Sequence, residues 1–213
     1  MKALLSATLL VAGISSLALL NNKSVFTNDA HKNTEKKLHN AAERNAFIKI
    51  RSITSSLKTY ITKNKFNTNY CIIIDMKRPS GSNRFFLYNL KKDTIELAGL
   101  VAHGSGSQQD DGTLIFSNVP GSLATSLGKY KIGNSYYGQF GLAYKLHGLD
   151  ETNSKAFARN VVLHGHGCVP NYEVDPDEIC MSWGCPTVAP TFLNEIKDYI
   201  NNADRPLLLD IVY

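Results

Sequence analysis

Long apolar runs are almost absent from this chain. After the first 20 residues, no segment is long and apolar enough to span a bilayer. Charged residues are scarce too, at 19%, whereas 43% of the residues are apolar, which excludes a chain that is disordered throughout. The sequence also lacks a P-loop, a dinucleotide-binding glycine fingerprint and a Gly-x-Ser-x-Gly elbow. Its chemistry therefore has to come from other motifs.

The N-terminus has the pattern of an export leader. Lys2 is the one charge in the first 20 residues, and the run from Ala3 to Leu20 is apolar apart from a glycine, a threonine and three serines. Cleavage after Ala18 would place small residues, Ser16 and Ala18, at the positions that a signal peptidase reads. We therefore expect residues 1–20 to be a signal peptide, or alternatively an uncleaved anchor, and the protein to be exported to the periplasm or cell envelope.

Charge is divided unevenly along the rest of the chain. Residues 23–65 carry ten Lys or Arg against three acids, whereas residues 66–213 carry twelve against fifteen. We interpret residues 21–65 as a basic tether and helix that can contact a membrane surface, and residues 66–213 as the main domain. A main domain that is acidic overall argues against nucleic acid as a partner. Apolar residues at helical spacing predict a helix over residues 35–63 that docks through Leu38, Ala42, Ile50, Ile53, Leu57 and Tyr60.

From residue 69 onward, short apolar runs separated by turn signals predict strands. They lie at Tyr70–Asp75, Arg84–Leu90, Thr94–Ala102, Leu142–Leu146, Val161–Leu163 and Leu207–Tyr213. Pro190–Asn201 has helical spacing instead. The predicted class is mostly β (α+β): a β-sandwich with an N-terminal helical segment and one or two further helices.

The stretch between Val161 and Pro186 carries the residues suited to catalysis. His164 ends an apolar run, and the turn Ser182-Trp183-Gly184-Cys185 places a thiol directly after a glycine. A thiol needs a base to become a nucleophile near neutral pH, and an imidazole at a strand end can supply it. Backbone N–H groups near Gly184 and Cys185 are candidates to stabilise an oxyanion.

These residues resemble the L,D-transpeptidase (YkuD-type) family, and in particular its murein L,D-transpeptidase catalytic-domain branch. A His-Gly pair precedes the Ser-x-Gly-Cys turn with seventeen residues between His164 and Ser182. The glycine-rich segment from Val101 to Ser107 is also similar to that branch. Trp183 stands where the wider family has a second histidine, and Pro186-Thr187 stands where it usually has an apolar residue followed by Arg or Asn.

The resemblance implies a peptidoglycan L,D-transpeptidase that needs no cofactor. Cys185 would attack a peptide stem to form a thioester, with His164 as the base and the carbonyl of Gly165 orienting it. An amine of a second stem or of a wall-attached protein would then accept the acyl group. Water as the acceptor would make the enzyme an L,D-carboxypeptidase or endopeptidase that trims stems. The resemblance also implies that a carbapenem acylates Cys185.

Other polar residues near these motifs are candidates for substrate binding. His103 lies in a glycine-rich loop, and His166, Ser182 and Trp183 flank the base or the nucleophile. Loop positions of this kind often contact ligands. A structural role is the alternative for each, and Ser182 in particular suits a hydrogen-bonding role in its turn.

The four cysteines allow one disulfide in an oxidising compartment. We expect Cys168 to pair with Cys180 across the loop between base and nucleophile, which leaves Cys185 free. A zinc module is the competing interpretation, since zinc accepts both His and Cys ligands. A wall-binding module that keeps the fold without catalysis is another. The zinc interpretation would use His164, His166, Cys168, Cys180 and Cys185.

Overall fold

The computed structural model describes residue 41 and residues 43–213. The chain divides into two units, Met1–Ala46 and Phe47–Tyr213. The expected leader over residues 1–20, and Leu38 and Ala42 of the predicted helix face, lie outside the described residues. In the part that is described, none of the helices combines the length and the apolar character that crossing a membrane requires.

Two helices and nine strands make up the described part of the chain. Helix α1 covers residues 43–63, and helix α2 covers Pro190–Asn201. The strands are β1 (Tyr70–Asp75), β2 (Phe85–Asn89), β3 (Thr94–Gly99), β4 (Val101–Ala102), β5 (Gly128–Gly138), β6 (Gly141–Gly148), β7 (Val162–Gly165), β8 (Thr187–Val188) and β9 (Leu208–Val212). Short 3₁₀ turns occur at Ser105–Ser107 and Glu151–Asn153.

All nine of these strands belong to one sheet, in the order β3-β2-β1-β9-β5-β6-β7-β8-β4. Its edge strands β3 and β4 are separated in the chain only by Leu100, so the sheet is nearly closed on itself. The pairs β1–β9 and β7–β8 are parallel, and the other pairs are antiparallel. The predicted mostly β class is confirmed, and the two halves of the expected sandwich are parts of this continuous sheet.

The core lies inside the curled sheet and is covered by α2. The strands around the core are rich in apolar residues, which are buried because they are apolar. Ile72, Leu87 and Leu209 are fully buried. Helix α2 begins with Pro190 at its first turn, where a missing N–H costs nothing. Its buried face includes Phe192, whose ring meets that of Phe85 edge-on with centroids 5.2 Å apart. The start of α2 also packs against the end of β7, because a Cβ added at Gly165 would lie 3.0 Å from the Pro190 Cα.

Residues 47–63 of α1 dock onto the sheet within the second unit. Ile50 and Leu57 are buried, which confirms two positions of the predicted face, and Ile53 and Tyr60 are half-buried. Basic residues of the helix pair with acids of the sheet region, as in the 2.7 Å contact between Lys49 Nζ and Asp75 Oδ1. Because such partly exposed pairs contribute little, the apolar contacts dominate the docking energy.

The docking predicts unequal effects for two isoleucines of one helix. Ile50→Ala is expected to lower the free energy of unfolding by about 2–5 kcal/mol, because the side chain is 1% exposed and truncation leaves a cavity. Ile48→Ala is the matched control: this side chain is 58% exposed, and we expect a change within about 0.5 kcal/mol. Urea denaturation measures both values. Equal effects of the two substitutions would contradict docking through this face.

Candidate active site

A cavity of about 280 Å³ brings together most of the residues selected from the sequence. The loop after β7, the turn before β8 and the tip of the β5–β6 hairpin form its walls. Its lining includes His164, His166, Cys168, Cys180, Ser182, Trp183 and Cys185, together with Phe140, Met181 and Thr187. A free thiol and an imidazole therefore share one concave site, which is the setting that acyl-transfer chemistry requires.

His164 is held rigidly at the end of β7. The strand places it opposite Ala143 of β6, and its side chain is 6% exposed. Its Nδ1 lies 3.1 Å from the carbonyl oxygen of Gly165. Because that oxygen can only accept, Nδ1 carries the proton and donates it, and Nε2 keeps its lone pair. This is the tautomer that a general base needs.

The Nε2 lone pair of His164 accepts a hydrogen bond from Thr187 in this structure. The parallel pairing of β7 with β8 sets His164 opposite Thr187, and the Thr187 Oγ1 lies 2.9 Å from His164 Nε2. Since Nε2 is the acceptor, the hydroxyl donates. Thr187 is buried, so water does not compete for this bond. The hydroxyl thus holds the atom at which the base would take a proton.

The Cys185 thiol is free and half-buried. It donates a weak hydrogen bond to the carbonyl oxygen of Asn160, with Sγ and O 3.8 Å apart. Burial raises the pKa of Cys185, although a backbone hydrogen bond from Val162 and the charge of Arg159 act in the opposite direction. The thiol is therefore protonated at rest.

Burial also sets the protonation of the imidazole. It lowers the pKa of His164, against the hydrogen bond to Gly165, which raises it, and His166 lowers it further. Both members of the pair are consequently neutral near pH 7 in the resting protein. A thiol in this setting would have to lose its proton during any nucleophilic attack, because a standing thiolate–imidazolium pair is disfavoured here.

The turn that carries Cys185 is stabilised by Ser182. Its Oγ donates to the Cys185 carbonyl at 2.6 Å and accepts from the Gly184 N–H at 3.1 Å. Gly184 has φ of +111°, and a Cβ there would lie 3.0 Å from the Ala124 carbonyl oxygen. The Gly184 N–H is thus engaged within the turn, which leaves the Cys185 N–H as the candidate donor for an oxyanion.

Arg159 and Phe140 contribute to the site but carry no sequence motif. Arg159 donates to the Ala124 carbonyl at 2.6 Å and to the Ser117 carbonyl at 2.8 Å, which fixes a cation near the thiol. Phe140, at the tip of the β5–β6 hairpin, stacks on His164 with centroids 4.8 Å apart. The spacing of these residues in the sequence gives no signal, because both lie in turns that only the tertiary fold brings near the Ser182–Cys185 turn and His164.

The other two candidates in this cavity lie at its margin. Trp183 is 75% exposed at the rim, where its indole is available to a bound substrate. His166 Nδ1 lies 2.9 Å from the sulfur of Cys168, and its ring meets Phe140 edge-on. His166 is therefore directed toward Cys168.

Cys168 and Cys180 form a disulfide, with their Cα atoms 6.0 Å apart. Both line the cavity of Cys185, so the crosslink holds part of its wall. Cys71 and Cys185 are the free cysteines of the described residues. Burial raises the pKa of Cys71 to about 12, which leaves it unreactive.

His103 is not brought to this cavity. It is 3% exposed and held between Arg84 and Gln108, with 2.9 Å contacts at both ring nitrogens. Because Arg84 can only donate, His103 Nδ1 accepts and Nε2 donates to Gln108. Its backbone carbonyl accepts the N–H of Ser182, so His103 supports the turn of Cys185 from behind.

Comparison with known proteins places these features in a family context. A sequence model of the L,D-transpeptidase catalytic domain matches residues 41–207, a range that includes residues 43–63 of α1. A comparison with curated protein sequences gave no match. The sequence match covers most of the chain.

Solved structures with similar folds share little sequence with this chain. An L,D-transpeptidase from Xylanimonas cellulosilytica is 12% identical over 68% of this chain and 61% of its own, with a TM-score of 0.40. An Enterococcus faecium L,D-transpeptidase is 12% identical over 67% and 49%, with a TM-score of 0.41. The helical cell shape determining protein of Campylobacter jejuni is 13% identical over 68% and 49%, also at 0.41. This chain thus matches between about half and 61% of their lengths.

Proposed function

The chain belongs to the L,D-transpeptidase catalytic-domain family, and on this premise we propose that it is an exported enzyme that acylates Cys185 with a peptidoglycan stem. The observation that carries the proposal is the shared cavity of a free Cys185 thiol and a His164 whose Nε2 is an acceptor. The chemistry requires only protein side chains and backbone groups.

In the proposed reaction the Cys185 sulfur attacks the carbonyl carbon of an L,D peptide bond. The thiol proton passes to His164 Nε2, and the developing oxyanion accepts from the Cys185 N–H. Collapse of the tetrahedral intermediate breaks the C–N bond, and His164 returns the proton to the leaving amine. A thioester remains on Cys185. An incoming amine, or water, reverses these steps and releases the acyl group.

The disulfide argues for this reaction over a zinc module. Zinc binds the thiolate of cysteine, and a disulfide sulfur is not a thiolate. Two of the five candidate zinc ligands, Cys168 and Cys180, are joined to each other. The three that remain include His164, whose ring nitrogens are both hydrogen-bonded.

We further propose that the Thr187 hydroxyl holds the His164 imidazole in its present orientation until substrate binds. Its hydroxyl donates to Nε2 of the neutral imidazole, so protonation of His164 at that atom would cost this hydrogen bond. The hydroxyl has to release Nε2, or pass on a proton through its own oxygen, when the thiol attacks. Thr187 is therefore a positioning residue for His164.

Removal of this hydroxyl is expected to change the base in a measurable way. Thr187→Val should raise the pKa of His164 and lower kcat/KM by about 3–10-fold, the worth of one hydrogen bond. Thr187→Ser keeps the hydroxyl and should restore both values. Histidine NMR titration and stem-peptide kinetics measure them. A valine variant whose imidazole titrates like the wild type would contradict the role of Thr187.

The reaction itself is tested with a disaccharide-tetrapeptide and mass spectrometry. Transpeptidation yields a crosslinked dimer that has lost one terminal residue, whereas carboxypeptidase action yields only the tripeptide. Inclusion of a free amine as a competing acceptor separates a preference for amines from one for water. The proposal fails if the wild-type protein gives none of these products under conditions in which its disulfide is intact.

A further inference from the structure

A second cavity, of about 260 Å³, shares no lining residue with the cavity of Cys185. Buried polar side chains line its interior: Arg84 is 1% exposed and His103 is 3% exposed, beside Gln108. Lys77 and Glu178 are exposed lining residues, and Arg78 is half-buried. A cavity with a buried guanidinium and an exposed lysine, Lys77, among its lining residues is suited to an anion.

Neutral hydrogen-bond acceptors hold the Arg84 guanidinium in this position. Its Nε donates to the Val101 carbonyl at 2.9 Å, Nη1 donates to the Arg78 carbonyl at 3.2 Å, and Nη2 donates to His103. These bonds use three of the five N–H groups of the guanidinium. Within residues 43–213, Arg84 forms no ion pair with a carboxylate. A buried cation without a close counter-ion is costly.

The nearest acids do not neutralise Arg84. Asp75 accepts from Lys49 Nζ at 2.7 Å and from the backbone N–H of Lys77, so its charge is already balanced. Glu178 is exposed, where solvent screens it. Burial lowers the pKa of Arg84 to about 10, although Asp75 and Glu178 partly oppose this shift. The guanidinium remains charged at neutral pH and keeps donors for an added partner.

We propose that this cavity is a carboxylate-binding site, with Arg84 at its base and Lys77 at its rim. A planar carboxylate matches the guanidinium fork, and the negative Glu178 among the lining residues disfavours a more highly charged anion. The choice of a carboxylate over other anions rests on the proposed function, since wall peptides end in carboxylates. The existence of an anion site rests on the geometry alone.

The site is connected to the Cys185 turn through the backbone. His103, which accepts from Arg84, also accepts the Ser182 N–H at its carbonyl, and Ser105 donates back to the Ser182 carbonyl. A Cβ at Gly104 would lie 2.7 Å from the Gly184 Cα, so the two segments are in direct contact. A carboxylate bound by Arg84 therefore sits at a fixed distance from the acylation site.

NMR titration of the wild-type protein with sodium acetate tests the site. The His103 ring signals and the Gln108 side-chain amide are expected to shift saturably, with a dissociation constant on the order of 1–10 mM. Sodium chloride at equal ionic strength is the control and should leave them in place. N-acetyl-alanine and its amide form a second pair: tighter binding of the acid than of acetate indicates a peptide source, and equal binding indicates a small free ion.

A pair of lysine variants locates the site without disturbing the core. Lys77→Gln is expected to weaken acetate binding about 3–10-fold, the effect of removing one nearby charge. Lys91→Gln removes an exposed lysine that does not line the cavity and should leave affinity unchanged. Equal affinities in both variants, or His103 signals unmoved by acetate, would overturn the proposal.

A phosphate titration separates this proposal from the proposed function. Binding of inorganic phosphate without binding of acetate would overturn the carboxylate assignment while leaving an anion site. Because these titrations need no turnover, a protein that binds acetate but processes no stem peptide would retain this inference and lose the proposed function.

Discussion

A Cys185→Ala protein is expected to lose stem-peptide turnover by a factor on the order of 10⁶, the cost of removing a covalent nucleophile. It should also lose the covalent adduct that we expect a carbapenem to form with the wild-type protein. The reason is that Cys185 is the half-buried free thiol in the cavity, whereas Cys168 and Cys180 are joined and Cys71 is enclosed in β1. Intact-mass spectrometry and the disaccharide-tetrapeptide assay measure the two losses.

Cys71→Ala is the matched control for this experiment. It also removes a free thiol, but one whose pKa is raised to about 12 by burial, so the adduct and the turnover should both persist. If the adduct remained in Cys185→Ala and disappeared in Cys71→Ala, the reactive thiol would be Cys71 and the assignment of Cys185 would be wrong. Persistent turnover in Cys185→Ala would remove the covalent mechanism altogether.

His164→Ala is expected to slow acylation by about 10²–10⁴-fold, the contribution of a positioned general base. The fold should survive, because the imidazole lies at a strand end beside the cavity rather than in the apolar core. Because the thiol is protonated at rest, the variant should recover part of its rate as the pH rises and the thiolate forms. Single-turnover acylation kinetics across the pH range provide the measurement.

His166→Ala is the comparison that separates the two histidines. Its imidazole lies against the sulfur of Cys168, and we expect a much smaller loss than for His164→Ala. Equal losses in the two variants would show that the base has been assigned incorrectly. A variant at His164 with wild-type acylation at neutral pH would have the same consequence.

Elements with strong local signals are predicted well from the sequence. Helix α2 has the predicted bounds, because Pro190 marks its start and its apolar residues recur at helical spacing. Strand β1 also has its predicted bounds. Strand β5 was not predicted, because Gly-Lys-Tyr-Lys-Ile-Gly-Asn-Ser-Tyr-Tyr-Gly contains few buried apolar residues and two of its glycines resemble turn signals. Strand β8 has two residues, too few for any periodicity.

Within the candidate site, too, residues with a local sequence signal are predicted and the others are not. His164 and Cys185 are found from a local motif, and the structure places them in one cavity. The contact between Thr187 and His164 depends on the parallel register of β7 and β8, which no spacing in the sequence encodes. His103 lies in a glycine-rich loop, yet its ring is hydrogen-bonded to Arg84 and lines a different cavity. Side chains paired across strands are thus the part that the sequence leaves open.

The position of β9 has a consequence for how the protein folds. The last strand of the chain lies in the middle of the sheet, parallel to β1 and antiparallel to β5. Ile72 of β1 pairs with Leu209, so this contact closes a very long loop, and loop closure of that kind slows folding. Until residues 208–212 leave the ribosome, β1 and β5 have no strand between them. The two parts of the sheet on either side of β9, β3-β2-β1 and β5-β6-β7-β8-β4, are therefore joined only after both have been synthesised.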